Sequence, residues 1–117
     1  MSPEMKVDVV RSESSGTLGR ALNKARGVTV PFDSSSRPQP DAFMNSEAFL
    51  GGVSSCGVTL IEGHAKETGV PLKRMAVTIE GSRDPAVPRY QSVHMRFEMA
   101  GVSQAQAEDL VKTYRSR

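Results

Sequence analysis

The rhythm of apolar and polar residues changes several times along this chain, and each change predicts an element. Residues 5–10, MKVDVV, alternate with a period of two, the pattern of a strand with one dry face. Residues 12–16 are small and polar and read as a turn, residues 18–23 as a second strand, and residues 24–27 as a basic turn. Residues 28–32, VTVPF, are apolar but include Pro31, which has no N–H for a ladder; this predicts an edge strand. The stretch DSSSRPQPD, residues 33–41, carries serines and two prolines and reads as a loop inside one domain.

A different period follows. Residues 47–67 contain no proline, Asn45 or Ser46 is placed to cap them, and Gly69 with Pro71 ends them. About 20 residues of helix span about 30 Å. Gly51, Gly52, Gly57 and Gly63 lie inside it, each costing about 0.8–1 kcal/mol of helix propensity relative to Ala. Either another backbone, such as a second helix, approaches closely and compensates, or the helix breaks at Gly51–Gly52. From Ala48 to Ile61 there is no charged residue, which predicts burial of this helix in a homodimer. A monomeric α+β binding module is the opposing expectation.

Beyond the helix the period of two returns. Met75, Val77 and Ile79 alternate with Arg74, Thr78 and Glu80; Val93, Met95, Phe97 and Met99 alternate with His94, Arg96 and Glu98. These are two strands joined by an antiparallel connection, GSRDPAVPR. Ser103 and Gln106 then have the spacing of a capping box, Val102 and Ala107 that of a hydrophobic staple, and Ala107, Leu110, Val111 and Tyr114 share one helical face. The order of elements predicts an α+β fold, helices packed on an antiparallel sheet.

Composition narrows the function classes. The 117 residues are room for one domain; 38% are hydrophobic and 24% charged, as in soluble globular proteins. No run of about 20 apolar residues exists to span a bilayer, and the N-terminus lacks a signal-peptide pattern, so a cytoplasmic location is expected. Fifteen Lys and Arg against thirteen Asp and Glu give +2, and aromatics are 5%, which argues against a nucleic-acid partner. With one cysteine and two histidines, neither an intrachain disulfide nor a metal site is expected. Nucleotide-binding glycine motifs and the HExxH zinc motif are absent as well.

The remaining chemistry centres on Cys56, in VSSCGV. A lone cysteine there is either an inert core residue or a thiolate favoured by a nearby cation. Its own helix supplies no partner. Glu47 lies about 180° round the axis, Glu67 about 16 Å along it, and His64 about 12 Å along and about 80° round. Arg20 or Arg26, from the preceding strands, could supply a cation; ordinary surface basicity is the plainer reading of either. Ser54 and Ser55 have no base beside them and read as packing residues, and His94 as solvated. Phe49, Val53 and Leu60 surround Cys56 with apolar surface suited to an apolar substrate tail.

The segment SEAFLGGVSSCGVTLIEGHAKETGVPLKRMAVTIEGSRD, residues 46–84, resembles the core of the OsmC/Ohr family of osmotically inducible and organic-hydroperoxide-resistance proteins. The family pattern is a small, apolar run ending in a helical cysteine, then a Gly-Val-Pro-Leu stop and a V-x-V-E-G-x-R-D strand. Here these are Cys56, residues 69–72 and residues 77–84. The resemblance covers most of the chain after residue 43 and is loose before it. It implies an OsmC-like α+β fold, an antiparallel sheet packed on a long central helix, and an intertwined homodimer.

It further implies reduction of organic hydroperoxides in oxidative-stress defence, with Cys56 as peroxidatic thiol and Arg20, or else Arg26, stabilising the thiolate. Phe49, Val53 and Leu60 become the substrate pocket. No cofactor is implied beyond an external thiol or dithiol reductant. Two departures stand against this activity. Ser46 occupies the family's glutamate position, with Glu47 one residue late, and the resolving Cys-Pro pair and last strand expected after the second helix are not found. A sulfenic acid at Cys56 would then need an external thiol or Cys56 of another chain for recycling. The alternative is a catalytically inactive, structural or small-molecule-binding OsmC-like dimer.

Overall fold

The computed structural model describes residues 5–87 and 89–116. Pro88, within the expected 81–89 connection, and Arg117 lie outside the described residues. The order is β1 (Arg11–Ser14), β2 (Arg20–Ala25), β3 (Val28–Asp33), α1 (Asn45–Thr68), β4 (Arg74–Ser82), β5 (Ser92–Ala100) and α2 (Gln104–Arg115). The chain falls into two compact units, Met1–Ala48 and Phe49–Arg117, with the division in the first turn of α1.

The first unit is an antiparallel meander in the order β1-β2-β3. Its strands differ from the sequence expectation. Residues 5–10 form no strand, and β1 takes in most of the predicted 12–16 turn. The register explains this. Arg11 pairs with Lys24, so Val10 would oppose Ala25, the last residue of β2, and residues 5–9 would run past it to the β2–β3 turn, where no ladder continues. An alternating sequence without a partner strand cannot satisfy its backbone groups by pairing. Met5 is accordingly 89% exposed.

The turns shift in the same way. The β1–β2 turn occupies residues 15–19, where the Ser15 hydroxyl accepts from the Thr17 N–H at 3.1 Å and donates to the Arg20 carbonyl at 2.7 Å. The β2–β3 turn is only Arg26 and Gly27, Lys24 and Ala25 having joined β2. β3 is an edge strand, as Pro31 demands, and it extends one residue further than predicted, to Asp33.

In the second unit β4 and β5 pair along nine residues each. Met75–Met99, Val77–Phe97 and Ile79–Met95 face inward, while Thr78–Arg96 and Glu80–His94 face outward. Ile61 and Ala65 of α1 meet Leu110 of α2, with Val70, Leu72, Met75, Phe97, Met99 and Tyr114 packed around them. The period-two strands and the 3.6-period helices thus bury their apolar faces against one another.

Helix α1 is continuous through Gly51 and Gly52. It starts at Asn45, and the first orphan N–H groups are satisfied differently from the expected Asn45 or Ser46 cap. Glu47 turns back to accept from the Met44 N–H at 2.8 Å, and the Ser34 hydroxyl accepts from the Asn45 N–H at 2.9 Å. Its other end is a Schellman turn: Gly69 adopts φ +72, and the Val70 N–H reaches the Ala65 carbonyl at 2.9 Å. At α2 the capping box is present, Ser103 accepting from the Gln106 N–H at 3.1 Å and the Gln106 side chain from the Ser103 N–H at 3.0 Å.

Candidate functional site

Positions 49, 53, 56 and 60 recur every three or four residues and so line one stripe of α1. Phe49 is 63% exposed, Cys56 and Leu60 are exposed, and Val53 is half-buried. The core-facing residues of the same helix, Gly57, Ile61 and Ala65, form a second stripe about 100° away. Cys56 is therefore not the buried core thiol that its small, apolar neighbours suggest. It sits one position off the core-facing row, and that single step turns it outward.

Within a helical turn of the thiol there are only apolar and small polar side chains. Two of the hydroxyls there are committed to the helix backbone: Ser54 donates to the Gly51 carbonyl at 3.2 Å, and Thr59 to the Ser55 carbonyl at 3.2 Å. At the stripe's upper end the rings of Phe49 and Tyr90 stack at 6.4 Å with a 21° interplanar angle. Tyr90 also lies over Gly81, where a Cβ would overlap its ring. The aromatic contact thus ties the end of the β4–β5 connection to the start of the stripe. At Gly57 the atoms nearest to where a Cβ would stand are the side chains of Tyr114 and Met95, at 3.5–3.6 Å; this is ordinary contact from α2 and β5, and not the close approach of a second backbone that the sequence predicts.

In the first unit Arg20 belongs to a polar cluster. Its guanidinium grips Asp41 through two hydrogen bonds, of 3.1 and 2.6 Å, and reaches Asp33 at 3.3 Å. Asp33, 3% exposed, also accepts from the Ser35 hydroxyl at 2.6 Å, the Ser35 N–H at 3.1 Å and the Gln39 N–H at 3.0 Å. These donors, the Ser35 hydroxyl foremost, pull the Asp33 carboxyl down to about 2, with the Arg20 charge adding to the effect. Asp41 is lowered chiefly by its hydrogen bond from Arg20, and Arg20 is raised in turn by Asp41. Arg26 makes no ion pair among the described residues; it holds the left-handed conformation at φ +60 in the β2–β3 turn. His94 is exposed, opposite Glu80, and His64 is half-buried on α1.

The sequence reading missed this cluster because residues 33–41 read as a plain loop. The available signal was the Asp33–Ser34–Ser35 run, where an aspartate commonly accepts from the backbone two residues on. Among the described residues no three His, Cys, Asp or Glu side chains converge as metal ligands, and no helix is long and apolar enough to cross a membrane.

Comparison with known proteins gives the fold a family context. No protein-family model and no curated protein sequence matches the chain. Solved structures do. An OsmC-like protein from Mycoplasma pneumoniae superposes with a TM-score of 0.83 at 13% identity, covering 96% of this chain and 82% of that one. The Legionella pneumophila organic hydroperoxide resistance protein OsmC gives 0.69 at 18%, covering 94% and 82%. The organic hydroperoxide resistance protein OhrB of Bacillus subtilis gives 0.60 at 16%, covering 92% and 82%.

Proposed function

We propose, from the OsmC/Ohr fold that these structures share with this chain, that the protein reduces organic hydroperoxides through Cys56 as part of oxidative-stress defence. The observation that carries the reading is the exposure of Cys56 in the middle of the Phe49–Val53–Leu60 stripe. A thiol so placed is open to substrate, and its neighbours offer apolar surface and no like charge.

The thiolate attacks the distal peroxide oxygen, the O–O bond breaks, and the alkoxide leaves as an alcohol after taking a proton. The sulfur is oxidised to sulfenic acid and the peroxide is reduced. A first external thiol then forms a mixed disulfide and releases water. A second displaces it, returning Cys56 as the thiol and leaving the reductant oxidised. Burying a peroxide tail on the stripe contributes about 0.8 kcal/mol per methylene, which favours organic hydroperoxides over hydrogen peroxide. A four-carbon tail gains at most about 3 kcal/mol, on the order of a hundredfold in affinity.

The resemblance assigns the cation to Arg20 first and Arg26 second. Arg20 brings a guanidinium shared with two carboxylates, whereas Arg26 brings one without an ion pair among the described residues. The working unit in this reading is a homodimer in the cytoplasm, where a small thiol pool supplies reductant. The exposed apolar side chains of residues 5–10, Val7, Val9 and Val10 among them, are surface it would cover.

Intact-mass spectrometry after one equivalent of cumene hydroperoxide or of hydrogen peroxide tests the reading. The expected result is a 16 Da adduct on Cys56, formed faster with the organic oxidant and removed by a dithiol. Arg20→Ala should slow it more than Arg26→Ala. Equal rates for both oxidants would remove the organic-peroxide assignment, and no adduct or oxidised dimer from either would leave a structural relative without peroxide chemistry.

A further inference from the structure

A groove of about 810 Å³ runs between α2 and β5, away from Cys56. This lies within the range of about 300–1,000 Å³ typical of small-molecule sites. Its floor is apolar: Phe97 and Met99 from β5, Val102 from the turn, Ala107 and Val111 from α2. All five are half-buried, so the floor is recessed but uncovered. At the C-terminal end of α2 the rim carries two cations, Lys112 and Arg115, and neither has an ion pair among the described residues. The one carboxylate on the rim, Glu108, lies a turn earlier and accepts from the Gln104 side chain at 3.3 Å. The groove is therefore polarised, with an apolar trough leading to a cationic end.

We propose that this groove binds a linear amphipathic carboxylate, its aliphatic chain along Phe97, Met99, Val102 and Val111 and its head group between Lys112 and Arg115. Charge complementarity selects this occupant over a neutral lipid. A carboxylate meets an ammonium and a guanidinium with an opposite charge and two acceptor oxygens, which a neutral alcohol of the same length lacks. The chain leaves water for a surface already half-desolvated. The site is independent of Cys56 and of the peroxide reading, and stands or falls without either.

Decanoate and 1-decanol, each kept below its aggregation concentration, are the probes. Two-dimensional NMR of the intact protein should show saturable shifts at Met99, Val102, Ala107 and Val111 with decanoate, and at least about tenfold weaker binding of decanol. Lys112→Ala with Arg115→Ala should weaken decanoate about tenfold and leave decanol unchanged; both sites are exposed, and circular dichroism checks that the fold persists. Val111→Asp should weaken both ligands. Equal affinity for the two probes would overturn the proposal, as would shifts mapping elsewhere or no saturation. So would shifts at Val102 and Val111 that depend on protein concentration without ligand, since a second copy of the chain would then fill the groove.

Discussion

Each unit is stabilised from within, and the two interiors have opposite chemistries. In the second, the buried residues are apolar: Ile61 is 1% and Leu110 2% exposed, and two helices and a hairpin converge on them. In the first, the one buried residue among those described is a carboxylate, Asp33, surrounded by donors from Ser35, Gln39 and Arg20. Apolar burial has no direction and tolerates small shifts, whereas a buried carboxylate is favourable only while its hydrogen bonds keep their geometry. The second unit should thus respond to lost volume, and the first to lost charge or lost donors.

The largest effect should come from removing volume in the second unit. Ile61→Ala or Leu110→Ala leaves a cavity beside Ala65, and such truncations cost about 2–5 kcal/mol. Urea unfolding followed by amide exchange should show β4, β5 and α2 losing protection, with β2 and β3 changing much less. If all strands lose protection equally, the two units unfold as one and the contrast in their chemistry has no separate thermodynamic expression.

A smaller, local effect is expected from the polar cluster. Arg20→Ala leaves Asp33 and Asp41 without their cation, and should raise exchange at the Ser35 and Gln39 amides by about tenfold while the second unit stays unchanged. Acid gives the same result without mutation. Asp33 titrates at about 2 in the folded chain, below its ordinary value of 3.8. Its contribution is fully present above about pH 4 and is lost as pH falls through 2. Asp33→Asn should abolish that acid step at Ser35 and Gln39. Protection at these amides that is flat from pH 4 to pH 2 would show that the cluster does not hold the segment.

How much of this was legible follows from the same contrast. The β4–β5 pair, the α2 capping box and the Gly69 stop could be read directly, because alternation, capping chemistry and glycine conformation are local properties. The apolar row on α2 was legible for the same reason. In the first unit β3 is read to within one residue, but the first strand begins six residues later than predicted and the second two, because their register depends on which residue opposes which. Residues 5–10 have a better strand pattern than residues 11–14, but it is Arg11 that meets Lys24. Asp33 looked like loop because its partners, Arg20 and Gln39, are set by the fold and not by neighbouring sequence. The outward turn of Cys56 was hidden for a related reason: on a helix with so few polar residues, periodicity alone does not reveal which stripe the core occupies.

The smallest predicted effect bears on that stripe. Gly52 and Gly63 have nothing within 4 Å of where a Cβ would stand, whereas Gly57 faces Tyr114 and Met95. Within one chain, then, Gly52→Ala and Gly63→Ala recover helix propensity without meeting a neighbour, and each should stabilise α1 by about 0.8–1 kcal/mol. A homodimer seam on the side of α1 that carries Gly52 reverses the sign there, because a methyl group would then hold the partner helix away. Thermal unfolding at two protein concentrations separates the cases. A gain in Tm from Gly52→Ala that is independent of concentration leaves this face to solvent. A loss that grows on dilution means that the glycine is retained for the approach of a second chain, and that the propensity cost within α1 is offset by association.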